Sequence, residues 1–124
     1  MLKRRRAPKS GIARPDAPIR SAAHLQWVRG FECVAAKSGA CSGKVQACHV
    51  RTGAGAGMGQ KPGDDMTYPG CAGHHAEQHR IGEPAFERAH AINLRAIAER
   101  LAAQSPALRR LARERRMLEE EIMP

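Results

Sequence analysis

The apolar and polar positions of the chain switch period several times, and each switch predicts an element. Leu25 and Val28 lie three apart behind Ser21, a residue suited to capping, so 21–31 reads as a short helix or an extended lead-in. Lys44 to Val50 alternates. Val45, Ala47 and His49 share one face and Gln46, Cys48 and Val50 the other, the period of a strand. Met66-Thr67-Tyr68 predicts a second short strand, with Pro69-Gly70 turning the chain after it. A helix is expected from Ala72 or Gly73 to about Arg80, broken at Gly82-Glu83-Pro84, where Pro84 suits the first turn of the next helix. That helix is predicted from Ala85 to about Ala103, with Ile92, Leu94, Ile97, Ala98 and Leu101 as its apolar set. Ser105-Pro106, a cap followed by proline at the first helical position, opens a final charged helix carrying Leu108, Leu111 and Leu118.

The segment between the two predicted strands, Thr52 to Gly63, is a glycine-rich loop. No Gly-Lys-Ser/Thr follows it, which argues against a nucleotide P-loop. Its lack of side-chain bulk still permits close approach to a DNA or RNA backbone. The coarse reading is α+β: a basic arm over 1–20, a strand–loop–strand–helix unit over 21–83, and C-terminal helices over 84–124.

Composition sharpens this picture. The aromatic fraction is 3%, supplied by Trp27, Phe31, Tyr68 and Phe86, so a domain of this size benefits from a staple such as a metal ion. Trp27 is expected in the core rather than against a base. The net charge of +9 points to a polyanionic partner, with nucleic acid foremost. Lys3, Arg4, Arg5 and Arg6 open an arm without apolar periodicity, which reads as disordered and able to contact phosphates. The arginines of the later helices read as a solvated face, or as a nucleic-acid or subunit contact. No run of about 18 apolar residues occurs, so no membrane partner is expected. No apolar stretch follows the basic start as it would in a secretory signal. The expected location is the reducing cytoplasm, where four cysteines serve as metal ligands or free thiols rather than as disulfides.

Two clusters carry the chemistry: Cys41 with Cys48-His49-Val50-Arg51, and Cys71-Ala72-Gly73-His74-His75-Ala76-Glu77-Gln78-His79. Cys33 and Cys41 precede the first strand, and Cys71 and His74 are spaced Cys-x-x-His across a turn into a helix. Two ligands from each segment make a closed tetrahedral zinc site able to supply folding free energy. Cys48 is either a further ligand or a small buried thiol. His24 and His90, without local partners, read as structural. His75 and His79, four apart, share a helix face, and the adjacent His74 points away from them by about 100°. One histidine for each of two sites is the natural division. His49, His75 and His79, with Asp64 as a carboxylate or as a turn cap, form a second set not closed by cysteine. An open divalent ion polarises a phosphodiester oxygen and a neutral imidazole accepts a proton from water, so this set suits phosphodiester hydrolysis.

Strand, loop, strand and helix with these residues resembles the ββα-metal HNH endonucleases. The segments Cys41 to Arg51, Lys61-Pro62-Gly63-Asp64 and Cys71 to Glu83 resemble a phage and prophage branch that includes the RecA-dependent nuclease Ref. The resemblance spans roughly residues 24 to 90. It implies a general base at His49, a polar partner at Asp64, and a structural zinc on Cys33, Cys41, Cys71 and His74. It further implies a metal-binding helix histidine, which falls on His75 or His79, and with it a catalytic Mg2+ or other divalent ion. Phosphate contacts would fall to Arg51, Lys61 and Arg80 with the arm, and a recombination or phage protein is a possible further partner. Two positions depart from the pattern. Cys48 stands where many HNH proteins place a metal-binding Asp or His, and Pro69-Gly70-Cys71 stands for Pro-Leu-Cys. The alternative function is a non-catalytic zinc-stabilised nucleic-acid-binding protein. Oligomeric state is left open by the sequence.

Overall fold

A computed structural model describes residues 17–52 and 61–122. The basic residues Lys3, Arg4, Arg5 and Arg6 and the densest part of the glycine loop lie outside the described residues. Helix α1 spans Ala22–Val28, and the Ser21 hydroxyl accepts from the His24 amide at 3.1 Å, the capping bond expected of that serine. A 3₁₀ turn at Ala36–Ser38 leads to strand β1, Val45–His49. β1 pairs antiparallel with β2, Thr67–Cys71, in a register that sets Cys48 opposite Tyr68 and His49 opposite Thr67. Four helices follow: α2, Ala72–Ile81; α3, Glu83–His90; α4, Leu94–Gln104; and α5, Pro106–Ile122. No helix among the described residues is long and apolar enough to cross a membrane.

Two elements differ from expectation. Pro69 and Gly70 do not turn the chain; they continue β2, which is buried along its whole length. The Pro69 carbonyl accepts from the Val34 amide at 3.0 Å, on the outer edge of the strand. The N–H that proline lacks would point to that same edge, so the ladder with β1 loses nothing. Gly70 is required by close approach. A Cβ there would sit 3.0 Å from Cys48 Sγ and 3.1 Å from the Tyr68 ring. The single helix predicted over 85–103 is two helices. Ala91 takes the left-handed conformation (φ 53°, ψ 47°) and Asn93 caps α4 by accepting from the Ala96 amide at 2.9 Å. Glu87 reinforces the break by accepting from the Leu94 amide at 2.9 Å. Ala91-Ile92-Asn93 contains neither Gly nor Pro, so the break leaves little trace in the apolar pattern.

The core gathers Val50, Tyr68, Phe86, Leu94 and Ala98 with the thiols of Cys33, Cys48 and Cys71. Tyr68 and Phe86 are its two large aromatics, 6.5 Å apart between ring centroids. Trp27 is only half-buried and lies outside this cluster, edge-on to Phe31 at 4.8 Å. Cys48 is fully buried, with its Sγ near the carbonyls of Gln46 and Gly70, and burial pushes its thiol up to about 12. It stays a neutral thiol at any physiological pH.

Residues 17–20 join the domain. The Ile19 carbonyl accepts from the Asp64 amide at 2.8 Å, and Arg20 Nη1 donates to the Pro62 carbonyl at 2.6 Å. His24 ties α1 to the α4–α5 junction through Ser105 Oγ at 2.7 Å, both residues being fully buried. Burial lowers the His24 pKa, although the charges of Asp65 and Asp64 pull it the other way. In the unfolded chain this imidazole takes up a proton near pH 6.5. The folded state resists until a lower pH, so stability falls as pH drops below about 6.5, by at most about 1.4 kcal/mol per pH unit. His24→Gln is expected to flatten this slope in denaturant melts between pH 7 and pH 5. An unchanged slope would assign the acid sensitivity to other groups.

Candidate metal centre and active site

Cys33, Cys41, Cys71 and His74 meet at one point, with ligand atoms all within 4.8 Å of one another. His74 Nδ1 lies 3.4 Å from Cys33 Sγ, 3.6 Å from Cys41 Sγ and 3.2 Å from Cys71 Sγ. A tetrahedral ion with sulfur at about 2.3 Å and nitrogen at about 2.0–2.1 Å separates two such ligands by about 3.5–3.6 Å. The three edges that meet at His74 therefore match those of a zinc tetrahedron, and the group could hold such an ion. It is buried except at Cys41, which is exposed.

Local structure builds this centre. Cys71 is the N-cap of α2, and its sulfur accepts from the His74 amide at 3.4 Å. Burial works against a charge there. The amides of His74 and Ser42, with the thiols of Cys41 and Cys33, nonetheless hold Cys71 down at about 6, so it is a ready thiolate. Gly43, at φ 74°, lets the Cys41 knuckle lie against the start of α2, where a Cβ would stand 2.6 Å from that of Ala72. The loop from Cys33 to Cys41 is pinned by His90 of α3, which bonds Ser38 Oγ through Nδ1 at 2.7 Å and Glu77 through Nε2. This brace supports the long separation between the first two cysteines. Both its partners are distant in sequence, so His90 looked isolated there.

The histidines of the second set lie around β1 and α2. His49 Nε2 is 2.9 Å from Asp64 Oδ1. Asp64 Oδ2 accepts from the Ser21 amide at 2.8 Å, and Arg20 lies 3.4 Å from Oδ1. Burial opposes ionisation of Asp64, yet these hydrogen bonds and the His49 and Arg20 charges hold its carboxyl below the usual range. An ionised Asp64 fixes the proton of His49 on Nε2 and leaves Nδ1 with a lone pair. His75 and His79 meet Nε2 to Nε2 at 3.0 Å, as their spacing on one helix face requires. His75 Nδ1 donates to Gln46 Oε1 at 2.5 Å, so its Nε2 also carries a lone pair. Burial first, then the charges of His79 and His49, lowers the His75 pKa and keeps that imidazole neutral at pH 7. Gln46 was missed in the sequence as a partner for His75, since it read only as one position of an alternating strand.

No known protein family, curated protein or solved structure matches this chain. The site therefore rests on its own geometry. Among the described residues, Cys33, Cys41, Cys71 and His74 are the group of three or more metal-binding side chains drawn this close. Asp64 is spent on His49, Ser21 and Arg20 rather than on His75 and His79. Arg51, Lys61 and Arg80 are exposed, and each stands within three residues of His49, Asp64 or His79. The amides of Arg51 and Thr52 are held by the buried Glu83 carboxylate at 2.8 and 2.9 Å, which anchors the start of the glycine loop at the end of β1. Sequence reading saw Glu83 only as part of a helix break.

Proposed function

We propose that this chain is a metal-dependent DNA endonuclease of the HNH kind, with a zinc ion on Cys33, Cys41, Cys71 and His74 as its scaffold. The observation that carries the reading is the His49–Asp64 pair, a strand imidazole held by a buried carboxylate with its other nitrogen unengaged among the described residues. His49 Nδ1 takes a proton from the attacking water, and Asp64 keeps the ring in the needed tautomer and stabilises the cation that forms. His75 and His79 are the residues that would hold a divalent ion. Their 3.0 Å separation suits adjacent positions of an octahedral ion with bonds of about 2.1 Å, which also span about 3.0 Å. Gln46, which accepts the other ring proton of His75, acts as the orienting partner that such ligands need. The bound ion supplies charge stabilisation at the phosphate and leaving oxygen. Arg51, Lys61 and Arg80, with the basic start of the chain, bind neighbouring phosphates without reading sequence.

The deciding experiment is nicking of supercoiled plasmid by the zinc-loaded protein with added magnesium or manganese. Nicking is expected to require the added ion and to fall in His75→Ala and His79→Ala while zinc content stays at one per chain. One zinc, DNA binding and no cleavage with any divalent ion would instead establish the non-catalytic reading. That outcome has support in the ligand count, since among the described residues His75 and His79 meet without a carboxylate in a metal-binding group.

A further inference from the structure

The last helix carries more positive charge than its own stability explains. Five arginines of α5 fall between residues 109 and 116, against the single Glu114. Like charges three or four positions apart, as in Arg109–Arg113, Arg110–Arg113 and Arg113–Arg116, oppose a helix. No acidic residue stands in the first turn to complement the dipole. At 100° per residue, Arg109, Arg113 and Arg116 share one face within about 60°, and Arg110 flanks it. Leu111, partly covered where α5 meets α1, lies roughly 150° away, so the row points outward.

Nothing on the protein neutralises this row. Arg109, Arg110, Arg113 and Arg116 are exposed and border a shallow hollow of about 510 Å³ with Pro106 and Ala112, and no carboxylate among the described residues lines it. None of the four forms an ion pair among the described residues. Arg109 donates to the Ala103 carbonyl at 3.2 Å. The glutamates mark the borders of the row. Glu114 lies beside Arg110 on the side toward α1, and Glu120 falls on the row's own face one turn past Arg116. Between them run about 10 Å of helix at 1.5 Å per residue, the span of about three successive phosphates of one strand.

The row also meets the surroundings of the candidate site. Arg110 and Glu114 border a second hollow, of about 190 Å³, together with Arg20 and Ser21. Arg20 and the Ser21 amide are the donors that hold Asp64, at 3.4 and 2.8 Å. One shared border of side chains thus links the arginine row to the His49–Asp64 pair.

We infer that the outward face of α5 is a phosphate-binding surface for duplex DNA, and that the duplex held there is the one presented to His49. The second half of this inference rests on the nuclease reading; the first half does not. A guanidinium keeps its charge at any working pH and offers two parallel N–H donors to a phosphate, the group this row lacks. Contacts of this kind position the duplex without reading its bases. An acidic protein segment is the competing occupant. The net charge of +9 is spread over the start of the chain, the end of β1 and α5, which suits an extended polyanion better than one short segment.

The test is anisotropy of a short labelled duplex of arbitrary sequence with the full zinc-loaded chain, titrated with salt and without added magnesium. Two variants remove charge from the row: Arg113→Gln with Arg116→Gln, and the same pair with Arg109→Gln and Arg110→Gln. Glutamine keeps the helix propensity, and the double variant keeps the Arg109 bond to Ala103, so zinc content and melting serve as controls for folding. Each lost phosphate contact lowers the slope of log K against log salt by about 0.9, so falls of about 2 and of about 3 to 4 are expected. The quadruple variant is expected to lose at least about tenfold in affinity at about 0.1 M salt. Arg88→Gln with Arg100→Gln removes the same charge as the double variant from exposed positions on α3 and α4 and is expected to leave the slope in place. An unchanged slope in the quadruple variant, as an acidic protein partner would give, overturns the inference. So does an equal loss in the two double variants. In the nicking assay the α5 double variant is expected to reach the wild-type maximal rate at higher DNA concentration. Binding that depends on α5 in a chain that never nicks would keep the surface and remove the nuclease reading. Normal nicking with a quadruple variant that binds like wild type would do the reverse.

Discussion

Removing the metal from Cys33, Cys41, Cys71 and His74 is expected to unfold the domain. A structural zinc site of this kind is worth about 10–16 kcal/mol in small zinc-binding peptides. Whole domains are stable by only about 5–15 kcal/mol. The core here has two large aromatics and three thiols among its buried members, and two of those thiols belong to the group that could hold the ion. The centre joins the loop after α1, the knuckle before β1, the end of β2 and the start of α2, so its loss frees four segments at once. Dialysis against a strong zinc chelator should abolish the cooperative thermal transition, and zinc should restore it. Cys71→Ser is expected to have the same effect, because it also removes the N-cap sulfur of α2. Cys48→Ser should retain one zinc per chain, since that thiol lies outside the ligand group, at the lesser cost of placing a hydroxyl in the core. A chelated protein that still melted cooperatively within about 5 °C of the loaded form would show that packing alone carries the fold.

His49→Ala is expected to lower single-turnover nicking by about 10²- to 10⁴-fold, the usual share of a positioned general base. The residue is partly exposed and, among the described residues, its side chain bonds Asp64 alone; Asp64 keeps the Ser21 amide and Arg20 as donors, so zinc content should hold and melting should change little. Asp64→Asn gives a different pattern. Its amide oxygen can still accept from His49 Nε2, so the tautomer survives while the negative charge that stabilises the imidazolium is lost. The new side chain also sets an NH₂ against either the Ser21 amide or His49, so this substitution should reduce stability and rate together. Retained nicking in His49→Ala, with contamination excluded by a second preparation, would remove the general-base assignment.

Within the candidate site, features that are local in sequence were the readable ones. Cys-x-x-His puts Cys71 at an N-cap and His74 one turn later, so both point the same way once the helix starts. His75 and His79 meet for the same reason, and Ser21 and Ser105 cap α1 and α5 through hydrogen bonds three residues long. The tie between His49 and Asp64 spans fifteen residues, and that between Glu83 and Arg51 spans thirty-two. Contacts of that span depend on where packing places whole elements, and alternation within one strand carries no record of it.

The strand–loop–strand–helix order, the metal-binding character of the Cys and His set and the basic balance were determined by the sequence alone, because each follows from side-chain type and near-neighbour spacing. Tertiary structure decided that Pro69 and Gly70 extend a strand, since an outer edge tolerates a missing N–H and the Cys48 sulfur leaves no room for a Cβ. It also decided that the helix after Pro84 breaks at Ala91, where Glu87 and Asn93 supply caps that apolar periodicity does not register. The partners of Asp64 were settled the same way. A buried carboxylate must find donors, and folding brought it His49, the Ser21 amide and Arg20 from opposite ends of the strand unit.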